Sequence, residues 1–327
     1  MNWIKIKTSK FLFFSIYSFI LAFIIIEITL RLIPPIPVGN NIGAFGKNWN
    51  FKFWKPINSL GYRDYEVNLN KKKKLIVFLG DSFTAGQGVL FEETYAFNIK
   101  NKFSQKFDTV NLGVNGSSTS MQKSNYTSFL EKYKKSPDIV VYQYFGNDIQ
   151  DFIDVKSCRP KKPENRLINK LNYLKNKVSN HSFLIGLYSG IFTRGDFKSC
   201  YIDRLKNAYK NEKIFNLHVE QIKDLIKNFH DRNTRVILII FPFLNSDKLI
   251  QESKFLYINK IKKIFKESCN KKDRFYDTSL AALSLKVKNR VASFMDAHPS
   301  SELHKLISKD LQNLINNQVI ISATDCK

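Results

Sequence analysis

Acid is scarce in this 327-residue sequence: 28 Asp and Glu stand against 52 Lys and Arg, a formal net charge of +24. So lopsided a balance suits polyanionic partners. The lysines, however, are scattered along the chain and often accompany asparagine. Lys71–Lys74 is the one tight run, and its place just before an apolar stretch marks a solvated linker. No nucleic-acid partner is expected, although an anionic membrane or an acidic wall polymer would still attract such a globule. Cysteine is scarce as well. Cys158, Cys200, Cys269 and Cys326 form no Cys-x-x-Cys pair, which speaks against zinc, and none lies near the N-terminus to take a lipid. In an exported domain disulfides are permitted. Cys158 and Cys200 bracket one segment and are the favoured pair; Cys326 is free or joined to Cys269, and buried free thiols are the alternative. There is no internal repeat. The 43% hydrophobic content is that of a folded globule.

One long hydrophobic run is present. Phe11 to Ile33 is apolar apart from Ser15, Tyr17, Ser18, Glu27, Thr29 and Arg31. About 20 apolar residues suffice to cross a bilayer as a helix. Lys5, Lys7 and Lys10 precede the run without any acid, and Pro34-Pro35-Ile36-Pro37 follows it and stops the helix. Positive charge on the N-terminal side places that end in the cytoplasm and the rest of the chain outside. Glu27 and Arg31 are one helical turn apart and can pair near the outer interface. A cleavable signal peptide is the competing reading. The run is long for one, and no clean small-x-small site follows.

The densest chemistry begins at Leu75. Leu75-Ile76-Val77-Phe78-Leu79 reads as a buried parallel strand and runs straight into Gly80-Asp81-Ser82. In open α/β sheets ligands gather at the carboxyl ends of strands, so Ser82 is a candidate nucleophile there. Alone, the tripeptide equally fits a helix cap. Three later segments join it. Val110-Asn111-Leu112 is a second strand, ending in Gly113-Val114-Asn115-Gly116. Ile139 to Tyr144 is a third, ending in Gly146-Asn147-Asp148. Asp296-Ala297-His298-Pro299 lies near the C-terminus. Together they supply a serine, a glycine backbone donor, an asparagine amide and an Asp/His pair, which is the inventory of an acyl-transfer site.

Strand and helix patterns alternate from residue 74 onward. Helices are expected over Thr94–Phe107, over Ser118–Lys134 behind a capping serine cluster, over Lys213–His230, over the lysine-rich Leu249–Cys269 and over Ser301–Asn316. Arg235–Phe241 and Arg274–Asp277 complete a set of five strands. Residues 151–212 break the rhythm. They are longer than a crossover and partly apolar, as insertions that form lids or substrate walls are; a helical decoration without a binding role is the alternative.

With its four blocks in this order, the sequence resembles the SGNH hydrolases, the GDSL lipase/esterase family, over residues 74–316. The resemblance implies a three-layer α/β/α fold with a mostly parallel five-stranded sheet. It makes Ser82 the nucleophile, His298 its general base and Asp296 the group that orients the imidazole. The N–H groups of Ser82 and Gly116 and the Asn147 amide would form the oxyanion hole. No metal or organic cofactor is implied. The family's commonest last block sets Asp and His three steps apart, whereas here they are two apart. Were Asp296 displaced by that spacing, a backbone carbonyl would orient the ring and leave a Ser82/His298 dyad. His304, on the following helix, is expected to be structural.

The expected organisation is a cytoplasmic segment (1–10), a transmembrane anchor (11–33), a linker or N-terminal extension (34–73) in which Asn58–Asp64 reads as a packed turn leading to the core, and a hydrolase domain (74–327) with its insertion at 151–212. The expected activity is serine ester hydrolysis outside the cytoplasmic membrane. Envelope glycan O-acetyl groups, small acyl esters or lipids are the candidate substrates. An O-acyltransferase of envelope polysaccharide, or a non-catalytic glycan-binding or assembly protein keeping the fold, are the alternatives.

Overall fold

The structure, a computed structural model, describes residues 2–33, 37, 43–158, 166–192, 195–318 and 323–326. The proline stop at Pro34–Ile36 lies outside the described residues. The chain divides into two compact units, residues 1–50 with 161–195 and residues 51–160 with 196–327.

The larger unit is built on a sheet of strands β1 (Lys74–Leu79), β2 (Phe107–Asn111), β3 (Ile139–Tyr144), β4 (Arg235–Ile240) and β5 (Arg274–Asp277). All five run parallel in the order β2-β1-β3-β4-β5. Their side chains are buried on both faces, which is why they read as unbroken apolar runs rather than alternating ones. A short hairpin, β6 (Val291–Ser293) with β7 (Asp296–Pro299), stands apart from the sheet. A sixth sheet strand, β8 (Ala323–Asp325), pairs antiparallel with β5. Its three residues carry no apolar run, so the sequence gives it no signal; the Cys269–Cys326 disulfide holds the chain beside it.

Helices cover both faces. The N-terminal α1 (Asn2–Leu32) and α2 (Gly43–Phe53) precede the sheet. α3 (Ser82–Ala85), α4 (Tyr95–Phe103) and α5 (Thr119–Tyr133) follow β1 and β2. After β3 come α6 (Arg166–Ser179), α7 (Phe183–Phe192), α8 (Gly195–Lys210) and α9 (Glu212–His230). After β4 come α10 (Asp247–Ser253), a π-helical turn at Lys254–Ile258 and α11 (Asn259–Ser268). α12 (Ser279–Leu283), α13 (Val287–Arg290) and α14 (Ser301–Ile315) close the fold. Leu75, Val77, Val140 and Leu238 pack on one face against α5, α9 and α11. Ile76, Phe78, Val141 and Ile239 pack on the other against α4 and α14. This is the expected three-layer α/β/α arrangement.

Several boundaries differ from the sequence reading. The helix expected over Thr94–Phe107 stops at Phe103, because Phe107 already pairs with Lys74 to begin β2. Ser118 stands at the start of α5 but does not cap it with its side chain. Its hydroxyl donates to Asp151, and the other Asp151 oxygen accepts the Ser120 N–H.

The turn at Asn58–Asp64, expected to lead into the core, is packed there: Asn58, Arg63 and Asp64 are buried. Asp64 accepts hydrogen bonds from the Asn111 N–H and Lys100 Nζ. Arg63, only 1% exposed, donates to the carbonyls of Phe53, Ala85, Gly86 and Val89 and lies against Trp54. Burial lowers its guanidinium to about 10, against Glu92 and Glu93, so it stays charged at neutral pH. Arg63 thereby pins the turn at 85–89 that follows α3. Arg63→Met leaves those buried carbonyls without their donor, and unsatisfied partners of a charge cost about 3 kcal/mol together. The expected outcome is a clear drop in the urea unfolding midpoint; an unchanged midpoint would show that water replaces the guanidinium.

Candidate active site

The site grows from the end of β1. In parallel register Leu79 sits beside Tyr142, so the turns after β1 and β3 emerge at one sheet edge. The chain order reverses between these two strands, the place where open sheets form a crevice. Gly80 can only be glycine: a Cβ there would lie 2.2 Å from Thr84 Oγ1 and 2.4 Å from Gln143 Oε1. That closeness lets Gln143 Oε1 accept both the Asp81 N–H and the Thr84 hydroxyl, each at 2.9 Å. Asp81 caps α3 by accepting the Phe83 N–H at 2.9 Å. Ser82 is the first residue of α3 and is 7% exposed.

The β6–β7 hairpin brings the other two groups. His298 Nε2 and Ser82 Oγ share a hydrogen bond of 2.8 Å. The opposite ring nitrogen, Nδ1, bonds to Asp296 Oδ1, and the same oxygen accepts the His298 backbone N–H at 3.1 Å. The two-step spacing has a physical reason here. Asp296–Pro299 is a strand, and in a strand residues i and i+2 share a face. The displaced-Asp arrangement with a carbonyl orienting the ring is therefore not the one in the structure.

Charge follows geometry. Burial pushes the His298 imidazole down, but the Asp296 carboxylate, its hydrogen bond and the more distant Asp81 outweigh that and raise it above the ordinary histidine value. Burial likewise opposes ionisation of Asp296, yet His298 and the Gln87 amide hold it below the usual carboxylate range.

Gly116 and Asn147 lie in the turns after β2 and β3. Among the described residues, neither hydrogen-bonds to the Ser82–His298–Asp296 line. Gly116 has φ +71°, a left-handed conformation, and no described residue comes within 4 Å of where a Cβ would stand. The Asn147 amide helps to hold down the Asp81 carboxyl, which burial raises on balance. Among the described residues, Asn147 Oδ1 is buried without a partner. The next residue, Asp148, is fully buried and accepts Gln122 Nε2 at 2.7 Å and the Phe145 N–H at 2.9 Å, which fixes the turn. Burial, with Asp81 nearby, keeps its carboxyl well above the ordinary range.

Two residues of the site carried no signal in the sequence. Gly88 has φ +89°, and a Cβ would meet Ala292 Cβ at 2.6 Å and Asp296 Oδ2 at 3.3 Å, so its bareness admits the hairpin. Gln87 is fully buried, and its Oε1 accepts Asn115 Nδ2 at 2.8 Å. Both follow Ser82 by a few residues, which was the available hint. His304 is outside the site. It is fully buried on α14, Nδ1 accepts the Tyr95 N–H at 3.2 Å, and burial with Arg63 and His298 pushes it down to about 3. Phe83 stacks on Phe145 at 4.3 Å and meets the His298 ring edge-on at 5.4 Å, giving the site an aromatic wall. Among the described residues, no group of three His, Cys, Asp or Glu could hold a metal ion.

A family model described as GDSL-like Lipase/Acylhydrolase family matches residues 78–306. No curated protein sequence matches the chain. Among solved structures, an acetyl xylan esterase from Geobacillus stearothermophilus is similar at 14% identity, over 76% of this chain and 97% of that one, with a TM-score of 0.46. The esterase EstA from Pseudoalteromonas sp. is similar at 15% identity, over 75% and 98%, with a TM-score of 0.44. A lipase/acylhydrolase from Enterococcus faecalis is similar at 14% identity, over 75% and 96%, with a TM-score of 0.43.

The raised His298 value can be followed by NMR of the imidazole protons. The wild-type ring should titrate above an ordinary histidine. Asp296→Asn removes the main stabiliser of the imidazolium and leaves burial, so the midpoint should fall. A midpoint that does not move would mean that Asp296 does not set it.

Proposed function

The chain belongs to the GDSL-like lipase/acylhydrolase family, a family of carboxylic ester hydrolases, and from that premise we propose that Ser82, His298 and Asp296 form its catalytic triad. The observation that carries this reading is the unbroken hydrogen-bonded line from Ser82 Oγ through the imidazole to Asp296. In this mechanism Ser82 Oγ attacks the ester carbonyl while His298 Nε2 takes its proton. Asp296 holds the proton on Nδ1 and stabilises the imidazolium that forms. The tetrahedral oxyanion is met by backbone N–H groups of Ser82 and Gly116 and by the Asn147 amide. First-turn N–H groups have no intrahelical acceptor, which suits Ser82 to this task. The imidazolium returns its proton to the leaving alkoxide. Water then repeats the sequence on the acyl-enzyme, with His298 again as base.

The proposed setting is extracytoplasmic. α1 offers Lys10–Leu32, long and apolar enough to cross a membrane, and by the same test it would serve as a signal sequence. Basic residues before it and the absence of a clean cleavage site favour an uncleaved anchor with the esterase outside. The substrates that fit are O-acetyl esters of envelope glycans. A nearly buried Ser82 suits a small acyl group, and the +24 charge attracts acidic polymers.

Ser82→Ala and His298→Ala should each lower turnover of a short p-nitrophenyl ester by about 10³-fold or more, because triad members act as a unit. Asp296→Asn should also be severe, since the amide permits the wrong tautomer. His304→Ala should cost little. A base must be neutral to act, so turnover should fall as pH drops through the raised His298 value. A fluorophosphonate should label Ser82; a folded wild-type protein that resists labelling and keeps activity as Ser82→Ala would sink the triad.

Topology is checked separately. A reporter enzyme fused after Lys327 should be active only outside the cytoplasmic membrane and stay membrane-bound. Cytoplasmic reporter activity, or release of a shortened soluble form, would overturn the anchor.

A further inference from the structure

Helix α6 is amphipathic the wrong way round for a globular protein. Leu167, Leu171, Leu174 and Val178 recur at intervals of three and four and so share one stripe. They are 65%, 56%, 45% and 45% exposed. Lys170 and Lys177 flank the stripe on one side and are exposed, while Asn172 lies across the helix from it and is exposed too. A stripe of this size facing water marks a surface that meets something apolar.

The neighbouring helices indicate what that is. Three residues separate α7 from the end of α6, and its first turn is tied to α1. Glu27 accepts the Ser182 hydroxyl at 2.9 Å and the N–H groups of Phe183 and Leu184 at 2.9 and 3.1 Å. Arg31 bonds back to Glu27 at 3.0 Å, donates to the His181 carbonyl at 2.8 Å and sits over the Phe183 ring. Phe23, Glu27 and Leu30, on the face of α1 that is half-buried, follow the same period. Glu27 lies five residues before the end of the Lys10–Leu32 span, about 7.5 Å along the axis at 1.5 Å per residue. The corner between α6 and α7 is therefore tied to α1 near the C-terminal end of its apolar span.

We propose that α6 lies in the outer interface of the bilayer that holds α1, with its leucine–valine stripe in the acyl boundary and Lys170 and Lys177 among lipid phosphates. The partner is a glycerophospholipid surface, preferably anionic. Its chemistry is that of interfacial helices, in which an apolar stripe is buried while long cationic side chains reach up to the headgroups. The proposal rests on α1 being a membrane anchor. It gives part of the segment expected to be a lid or substrate wall a different task, that of holding a bilayer.

The full chain, reconstituted in phosphatidylcholine–phosphatidylglycerol liposomes, tests it by nitroxide labelling at Leu174→Cys, Val178→Cys, Asn172→Cys and Phe19→Cys, one at a time. Oxygen reports hydrocarbon and a water-soluble nickel chelate reports water. Labels at 174 and 178 should be about threefold or more less accessible to nickel than the label at 172, and richer in oxygen, as the label at 19 must be. Lys170→Glu combined with Lys177→Glu should weaken this contrast when phosphatidylglycerol is present. Nickel access at 174 and 178 equal to that at 172, with 19 still in hydrocarbon, overturns the proposal and leaves the anchor standing. Shielding of 174 and 178 from both reagents means that protein covers the stripe and also overturns it. Water access at 19 removes the anchor, and the proposal with it.

Discussion

The edge that carries Ser82 depends on the contact between Gly80 and Gln143. With no Cβ at Gly80, the Gln143 amide oxygen reaches across from β3 and accepts from Asp81 and Thr84 together. That shared acceptor fixes where β1 stops and where α3 starts, and so where the Ser82 hydroxyl stands. Thr84 passes the constraint on through a 2.6 Å hydrogen bond to Tyr95, whose own N–H holds His304. Arg63 clamps the far end of the same turn. Ser82 is thus positioned by polar groups that are themselves buried and bonded, the condition under which the proposed nucleophile is held in place.

Three buried carboxylates surround this arrangement, and their environments separate them. Asp81 and Asp148 lie in a dry region near one another, and burial raises both above the ordinary carboxyl range. Asp296 is almost as buried but has an imidazole in contact, and that opposite charge keeps it ionised. The first two organise turns by accepting backbone N–H groups; the third polarises a ring. The same side-chain chemistry is directed to different ends by one neighbour.

Much of this was legible in the sequence, because the strands that matter are buried on both faces and announce themselves as apolar runs. The ends of β1 and β3, the α/β alternation and the Asp296/His298 pair could all be read from local pattern. What could not be read depends on contacts far apart in sequence. Asp296 and His298 share a face only because residues 296–299 form a strand, and that strand exists by pairing with Val291–Ser293. Gly88 is required by Ala292, some two hundred residues on. The turn holding Arg63 reads as packed, but the four carbonyls that its guanidinium meets do not show in the sequence. β8 has no pattern of its own. The Cys158–Cys200 pair is the one favoured from position, while Cys269–Cys326 is only one of two readings of Cys326; both form in the structure.

The first of those disulfides has a bearing on how the chain is put together. The Cα atoms of Cys158 and Cys200 are 5.6 Å apart, so the polypeptide departs from the α/β unit and re-enters it at nearly one point. A gap of that width is what a tight turn spans. The stretch between the two cysteines is therefore a graft on a covalently sealed stem. A protease could cut it without parting the two halves of the sheet.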